Sequence, residues 1–256
     1  MLIVGLNKTT LLDYPGRVAA TIFTGGCNFR CPFCHNGDLV LKASALDAYS
    51  EEEVFSFLHK RKKVLSGVCI TGGEPTLQPD LAEFIRKVKE LGYAVKLDTN
   101  GYKPEVLDEL LKEGLLDYVA MDIKNCKEKY AVTAGVTSFE IANIEKSMKL
   151  LEEYGIPYEY RTTVVKEFHK KEDLEAVGKW IDGRADWYLQ PYRDGEEILA
   201  KVQRDDAVSG SGTVPCNGLA EEKLLQGYGN TELKELEEEL NAMPEMTGRI
   251  FLRGMD

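Results

Sequence analysis

The strongest constraint on this chain's fold is an alternation of short β-rich runs with amphipathic helical segments. Strand-like runs fall at 18–23, 67–71, 94–98, 118–123, 158–165 and 187–191, and helical ones at 51–61, 80–91, 104–113, 143–154 and 173–181. In the 80–91 segment Leu81, Phe84, Ile85, Val88 and Leu91 share one helical face. Ser50 and Glu53 have the spacing of a capping box at the start of the 51–61 helix. Six βα-like steps imply an α/β fold with a parallel sheet, because parallel neighbours need a crossover helix between them. At 256 residues the chain can fill one α/β barrel or two small domains, and no boundary stands out. Residues 193–217 read as a mobile loop containing the low-complexity run 209–212, followed by a helix at 231–240 that packs on the outside.

The charge narrows the partners. With 32 basic and 43 acidic residues the net charge is -11, which argues against nucleic acid, since phosphate binding favours a basic surface. The run Lys60, Arg61, Lys62, Lys63 reads as a solvated helix end. The apolar stretch 2–6 is too short for an export signal, and no apolar run suggests a membrane span. The expected setting is the cytoplasm. There thiols stay reduced, and six cysteines read as metal ligands or buried thiols rather than disulfides.

Three of those cysteines, Cys27, Cys31 and Cys34, fall within eight residues after the first strand. Three thiolates can ligate three irons of a four-iron cluster and leave the fourth iron open to substrate. Other readings compete. Cys31-Pro32-Phe33-Cys34-His35 matches a c-type haem attachment string, which requires export. A single zinc would need an awkward chelate from the adjacent Cys34 and His35. A two-cysteine redox pair leaves Cys27 unused. Buried structural thiols are the plain alternative. Of the rest, Cys69 reads as a small core residue, Cys126 lies near the functional strand ends, and Cys216 reads as incidental. His59 and His169 carry no motif and read as surface residues.

Unusual residues also follow the later strands, where parallel α/β folds gather their functional groups. Thr71-Gly72-Gly73-Glu74-Pro75 follows the second strand; its glycines allow close backbone approach, and Glu74 offers a carboxylate to an ammonium ion. Lys96-Leu97-Asp98-Thr99-Asn100-Gly101 ends the third, where Asn-Gly alone would explain a turn. Asp122 and Lys124 end the fourth on one face, so if buried they must pair or bind something. Arg161 lies in the fifth strand and Arg193 just past the sixth.

The string Gly25-Gly26-Cys27-Asn28-Phe29-Arg30-Cys31-Pro32-Phe33-Cys34-His35-Asn36 resembles the signature of the radical S-adenosylmethionine (SAM) enzymes. Within them it looks like the glycyl-radical-enzyme activases, and is most similar to the group that activates anaerobic ribonucleoside-triphosphate reductase. The likeness extends over about residues 1–195. Asp13-Tyr14-Pro15-Gly16-Arg17 also resembles an activase entry segment.

The resemblance implies a partial (β/α)6 TIM-like barrel of the radical SAM type, as a single domain with its core at about 15–195 and a C-terminal helical extension over 218–256. It implies one [4Fe-4S] cluster on Cys27, Cys31 and Cys34. It implies SAM contacts from Phe33, His35, Gly72, Gly73, Glu74, Asp98, Asp122, Lys124, Arg161 and Arg193, although related activases tend to carry histidine at the last position. A monovalent cation near Asp98, Thr99 and Asp122 is implied as well. The implied reaction is reductive cleavage of SAM to a 5′-deoxyadenosyl radical that activates a glycyl radical enzyme. The implied partners are the large subunit of anaerobic ribonucleotide reductase and an electron donor such as flavodoxin or ferredoxin. A radical SAM enzyme acting on a small molecule or peptide, and a non-catalytic zinc-binding interaction module, are the alternatives.

Overall fold

The computed structural model describes residues 1–208, 225–246 and 248–255, without the side chains of 204–208. In chain order its strands are β1 (Ile3–Thr10), β2 (Ala19–Thr24), β3 (Gly67–Gly72), β4 (Ala94–Thr99), β5 (Tyr118–Asp122), β6 (Tyr158–Val164), β7 (Asp186–Pro191) and β8 (Ile250–Leu252). Its helices are α1 (Gly37–Leu41), α2 (Glu51–Arg61), α3 (Leu81–Glu90), α4 (Pro104–Lys112), α5 (Tyr130–Thr133), α6 (Ile141–Tyr154), α7 (Lys171–Ile181), α8 (Leu199–Val208) and α9 (Asn230–Asn241). The chain divides into two compact units. The first holds Met1–Asn28, Asp38–Met121 and Ala142–Tyr158; the second holds Phe29–Gly37, Asp122–Ile141 and the chain from Glu159 onward.

In the first unit β1 pairs antiparallel with β2, and β2, β3, β4 and β5 follow in parallel. Strand alternation gives this sheet two unlike faces. Ile22, Ile70, Leu97 and Val119 stand in register across it and are fully buried, an apolar row worth about 1.5–3 kcal/mol per side chain. The next row on the opposite face is Thr21, Cys69, Lys96 and Tyr118, which is polar. The helices bury the stripes their periodicity implied: Val54 and Leu58 from α2, Leu81, Phe84, Ile85 and Val88 from α3. Ser50 caps α2 as expected, its Oγ accepting from Glu53 N at 3.2 Å while Ser50 N donates to the Glu53 carboxylate at 2.9 Å.

In the second unit β6, β7 and β8 run parallel. Helix α9 packs on α7 and β8 and buries Leu233, Leu236 and Leu240. The tail after β8 returns a charge to the unit: Arg253 grips the buried carboxylate of Glu159 with two hydrogen bonds, 2.5 and 2.8 Å, and lies 3.7 Å over the Tyr188 ring.

Some elements differ from the sequence expectations. Strand β1 exists although only its first residues are apolar, because β2 supplies its hydrogen bonds. Strand β8 is three residues long, too short to show periodicity. Residues 199–208, read as loop, form α8, anchored by Leu199 N to Cys34 O at 2.9 Å and Ala200 N to Pro32 O at 3.1 Å. His169 is not a surface residue: it is fully buried, while His59 is exposed. The run 209–212 and Cys216 lie outside the described residues. Among the described residues no helix is long and apolar enough to cross a membrane.

Candidate active site

The cysteine loop begins in the first unit. Gly26 turns at φ +86°, its N–H donating to Leu39 O at 2.8 Å, and Gln78 Nε2 donates to Gly25 O at 3.0 Å. The Gly72-Gly73-Glu74 turn is pressed against this bend. Glu74 N donates to Gly26 O at 2.8 Å, and a Cβ on Gly73 would lie 1.9 Å from that same oxygen. Gly72 adopts φ +116°, with Thr24 backbone atoms within 2.5 Å of where a Cβ would stand. Glycine is thus required here by close backbone approach to the cysteine loop.

The Glu74 carboxylate is committed to the chain itself. It is 1% exposed. Its Oε1 accepts from Thr76 N (3.1 Å), Thr76 Oγ1 (2.6 Å) and Thr99 Oγ1 (2.7 Å), and its Oε2 accepts from Asn100 N (2.7 Å). Burial pushes its carboxyl up from the ordinary value, and these donors pull it back. The sequence reading of Glu74 as a carboxylate offered to an ammonium ion meets a group already holding four donors. Beside it, Asn100 Nδ2 donates to Asn28 Oδ1 at 2.8 Å and lies 3.9 Å from Cys27 Sγ. Asp98 pairs with the ammonium of Lys96.

Cys31 and Cys34 belong to the second unit. Cys31 is buried, and burial pushes its thiol up to about 12; burial raises Cys34 as well. Phe33 between them is buried against Phe168 (ring centroids 5.6 Å) and His169 (6.2 Å), so its ring serves packing. His35 is exposed, tilted on Tyr192, and its Nε2 donates to Arg193 O at 2.8 Å. The Arg193 guanidinium turns elsewhere, donating to Gly254 O at 2.7 Å.

At the end of β5, Asp122 receives Lys124 Nζ on Oδ2 at 2.9 Å and Arg161 Nε on Oδ1 at 3.0 Å. Burial opposes the Asp122 carboxylate, but Arg161 and then Lys124 outweigh it and hold the carboxyl down at about 2. Burial likewise opposes the Lys124 ammonium, and the Asp122 carboxylate and Cys31 sulfur reverse that and raise it well above the ordinary lysine value. Sequence alternation placed Asp122 and Lys124 together; their pairing with Arg161 is the addition.

Three buried groups behind this trio carried no sequence signal. His169 accepts from Val165 N on Nδ1 (3.1 Å) and donates from Nε2 to Lys124 O (2.7 Å), a pattern for the neutral ring. Burial lowers its pKa to match. Asn125 Nδ2 donates to Thr133 Oγ1 and Phe168 O, both at 2.9 Å, and its Oδ1 accepts from Cys126 N at 2.8 Å. Tyr130 donates to Asp122 O at 3.2 Å and stacks on Phe139. Only a contact map linking 122–125 to 165–169 would have revealed them.

The profile of the Radical SAM superfamily matches residues 21–181. The chain belongs to that superfamily. Among its relatives is a protein of Methanocaldococcus jannaschii with the provisional name glycyl-radical enzyme activating enzyme, 39% identical over 187 residues, 70% of this chain and 75% of the relative. The pyruvate formate-lyase-activating enzyme of Clostridium pasteurianum is 33% identical over 124 residues, 47% of this chain and 51% of that enzyme. A radical SAM methyltransferase from Sphaerobacter thermophilus shares the fold, with TM-score 0.68 over 94% of this chain and 67% of its own, at 13% identity. The α/β fold with parallel strands is therefore that of the radical SAM enzymes. As a radical SAM protein, the chain implies an iron–sulfur cluster and SAM as its cofactors.

Proposed function

We propose that this chain is an activating enzyme for a glycyl radical enzyme, working without oxygen in the cytoplasm, with anaerobic ribonucleotide reductase as its target. The observation that carries this reading is the 39% identity to the M. jannaschii relative over 70% of the chain, joined to three cysteines on one short loop. Soft thiolates in that number suit an iron–sulfur cluster with one iron left open. The apolar setting of Cys31 beside buried Phe29 and Phe33 suits it too. Cys27, Cys31 and Cys34 are the residues that would hold a [4Fe-4S] cluster, reduced by a donor such as flavodoxin or ferredoxin. When bound, that cluster supplies the electron that cleaves SAM into methionine and a 5′-deoxyadenosyl radical.

The chain's own groups bind and orient. Lys124 and Arg161 bring two positive charges to one carboxylate, Asp122, and so favour a second carboxylate such as that of SAM. Lys124 keeps its proton throughout, held charged by Asp122. Gly72 and Gly73 offer backbone rather than side chain, which suits an amino group. Burial of Phe29, Phe33 and Tyr130 excludes water from the neighbourhood of Cys31. Positioning, rather than acid–base chemistry, is what these residues contribute.

The test is anaerobic. Reconstituted protein, reductant and SAM are incubated with a ribonucleotide reductase subunit bearing the glycyl site, and a glycyl-radical EPR doublet is expected. SAM cleavage without the doublet rejects this target, and an absence of SAM cleavage rejects the whole reading.

A further inference from the structure

The monovalent cation implied near Asp98, Thr99 and Asp122 does not fit the residues present. The Thr99 hydroxyl donates to Glu74 at 2.7 Å and accepts from Gly101 N at 3.1 Å. The two oxygens of Asp122 hold Lys124 and Arg161. Asp98 already has a cation from the chain itself: the ammonium of Lys96, two residues earlier on the same face of β4.

Lys96 is an unusual residue to find where it is. It is 1% exposed in the middle of β4, in register with Cys69 on one side and Tyr118 on the other. Its Nζ lies 3.9 Å from Cys69 Sγ and 6.0 Å from the centre of the Tyr118 ring. A thiol and a ring face give weak support to a buried charge, so the carboxylate of Asp98 is the group that compensates it. Conversely, the Asp98 side chain is only 11% exposed, and it pairs with the Lys96 ammonium. Each would be costly to bury without the other.

We propose that the Lys96 ammonium is the built-in counter-ion of Asp98, and that this chain needs no monovalent metal cation at that carboxylate. The inference draws on the radical SAM reading only for the cation it displaces. Its test needs neither cluster nor SAM, so the two readings fail separately.

The experiment is thermal unfolding of the cluster-free protein in potassium, sodium and choline chloride at equal ionic strength, which holds screening constant. The wild type is expected to melt at one temperature in all three. Lys96→Ala removes the ammonium paired with Asp98 and opens space beside that carboxylate. Its melting temperature should rise in potassium or sodium over choline by at least about 2 °C, the shift for roughly 1 kcal/mol of linked binding in a chain of this size. The double variant Lys96→Met/Asp98→Asn removes both charges and should fold with no cation response. A wild type stabilised by potassium over choline overturns the proposal, as does a folded Lys96→Ala indifferent to all three salts. If Lys96→Ala cannot fold in any salt, the double variant decides: recovery of folding supports the counter-ion role, and failure to recover assigns Lys96 to packing and overturns it.

Discussion

Replacing Glu74 distinguishes a carboxylate that holds the fold from one that holds a ligand. Glu74→Ala removes the acceptor for two backbone N–H groups, Thr76 and Asn100, and for two hydroxyls, Thr76 and Thr99. The hydroxyls can rotate to other partners, but the backbone groups cannot. Each orphaned N–H costs about 1–3 kcal/mol, and the lost side chain leaves a void, so a total of about 3–6 kcal/mol is expected. Removing a buried charge offsets part of this, which favours the lower end. Glu74→Gln keeps one acceptor but turns an amide N–H₂ toward existing donors, for a loss of about 2–3 kcal/mol. The measurement is urea unfolding of the cluster-free protein near neutral pH, read from the midpoint at constant slope. A loss below about 1 kcal/mol for Glu74→Ala, with weakened SAM binding in the reconstituted protein, would refute the structural role and restore the ammonium-binding one.

Three further outcomes are expected. Gly73→Ala places a Cβ 1.9 Å from Gly26 O, so the turn must withdraw from the cysteine loop. It should lower stability by about 1–3 kcal/mol and iron incorporation with it, checked by unfolding and iron analysis; full iron content would contradict the docking role. His169 has its pKa lowered from 6.5 by burial, so below pH 6.5 the unfolded chain takes up a proton that the folded chain refuses. Stability should therefore fall as pH drops from 6.5, and His169→Gln should flatten that slope in a pH series of unfolding midpoints. Arg253→Met removes two hydrogen bonds and a charge from the Glu159 carboxylate, whose side chain is 1% exposed, and should cost up to about 3–5 kcal/mol by denaturant unfolding. Adding Glu159→Gln should recover much of that loss.

The parts legible in the sequence were those written in local pattern. All six strand runs and the helices α2, α3, α4, α6, α7 and α9 appear at or within two residues of their expected places, because each carries its own periodicity. The strands at the two ends of the series did not announce themselves. In the second half of β1 the residues Asn7, Lys8 and Thr9 are polar and exposed, and β8 is three residues made regular by β7. Helix α8 is anchored by backbone hydrogen bonds to the cysteine loop, which no local pattern announces. At the site, the residue types were readable and their partners were not. Glu74 looked available because its four donors come from Thr76 and from the end of β4, some 25 residues on. A cation at Asp98 was implied by the resemblance alone, and nothing in the sequence says that Lys96 turns toward it.

The clasp between Glu159 and Arg253 has a consequence for the order in which the chain can finish folding. The two residues are 94 positions apart, and at about 5–20 residues per second a ribosome needs roughly 5–20 s to deliver the second after the first. Throughout that interval the Glu159 carboxylate on β6 lacks the two hydrogen bonds that Arg253 gives it in the finished fold. That contact of the second unit is therefore among the last that synthesis makes possible, after the cysteine loop and the β5 trio are complete.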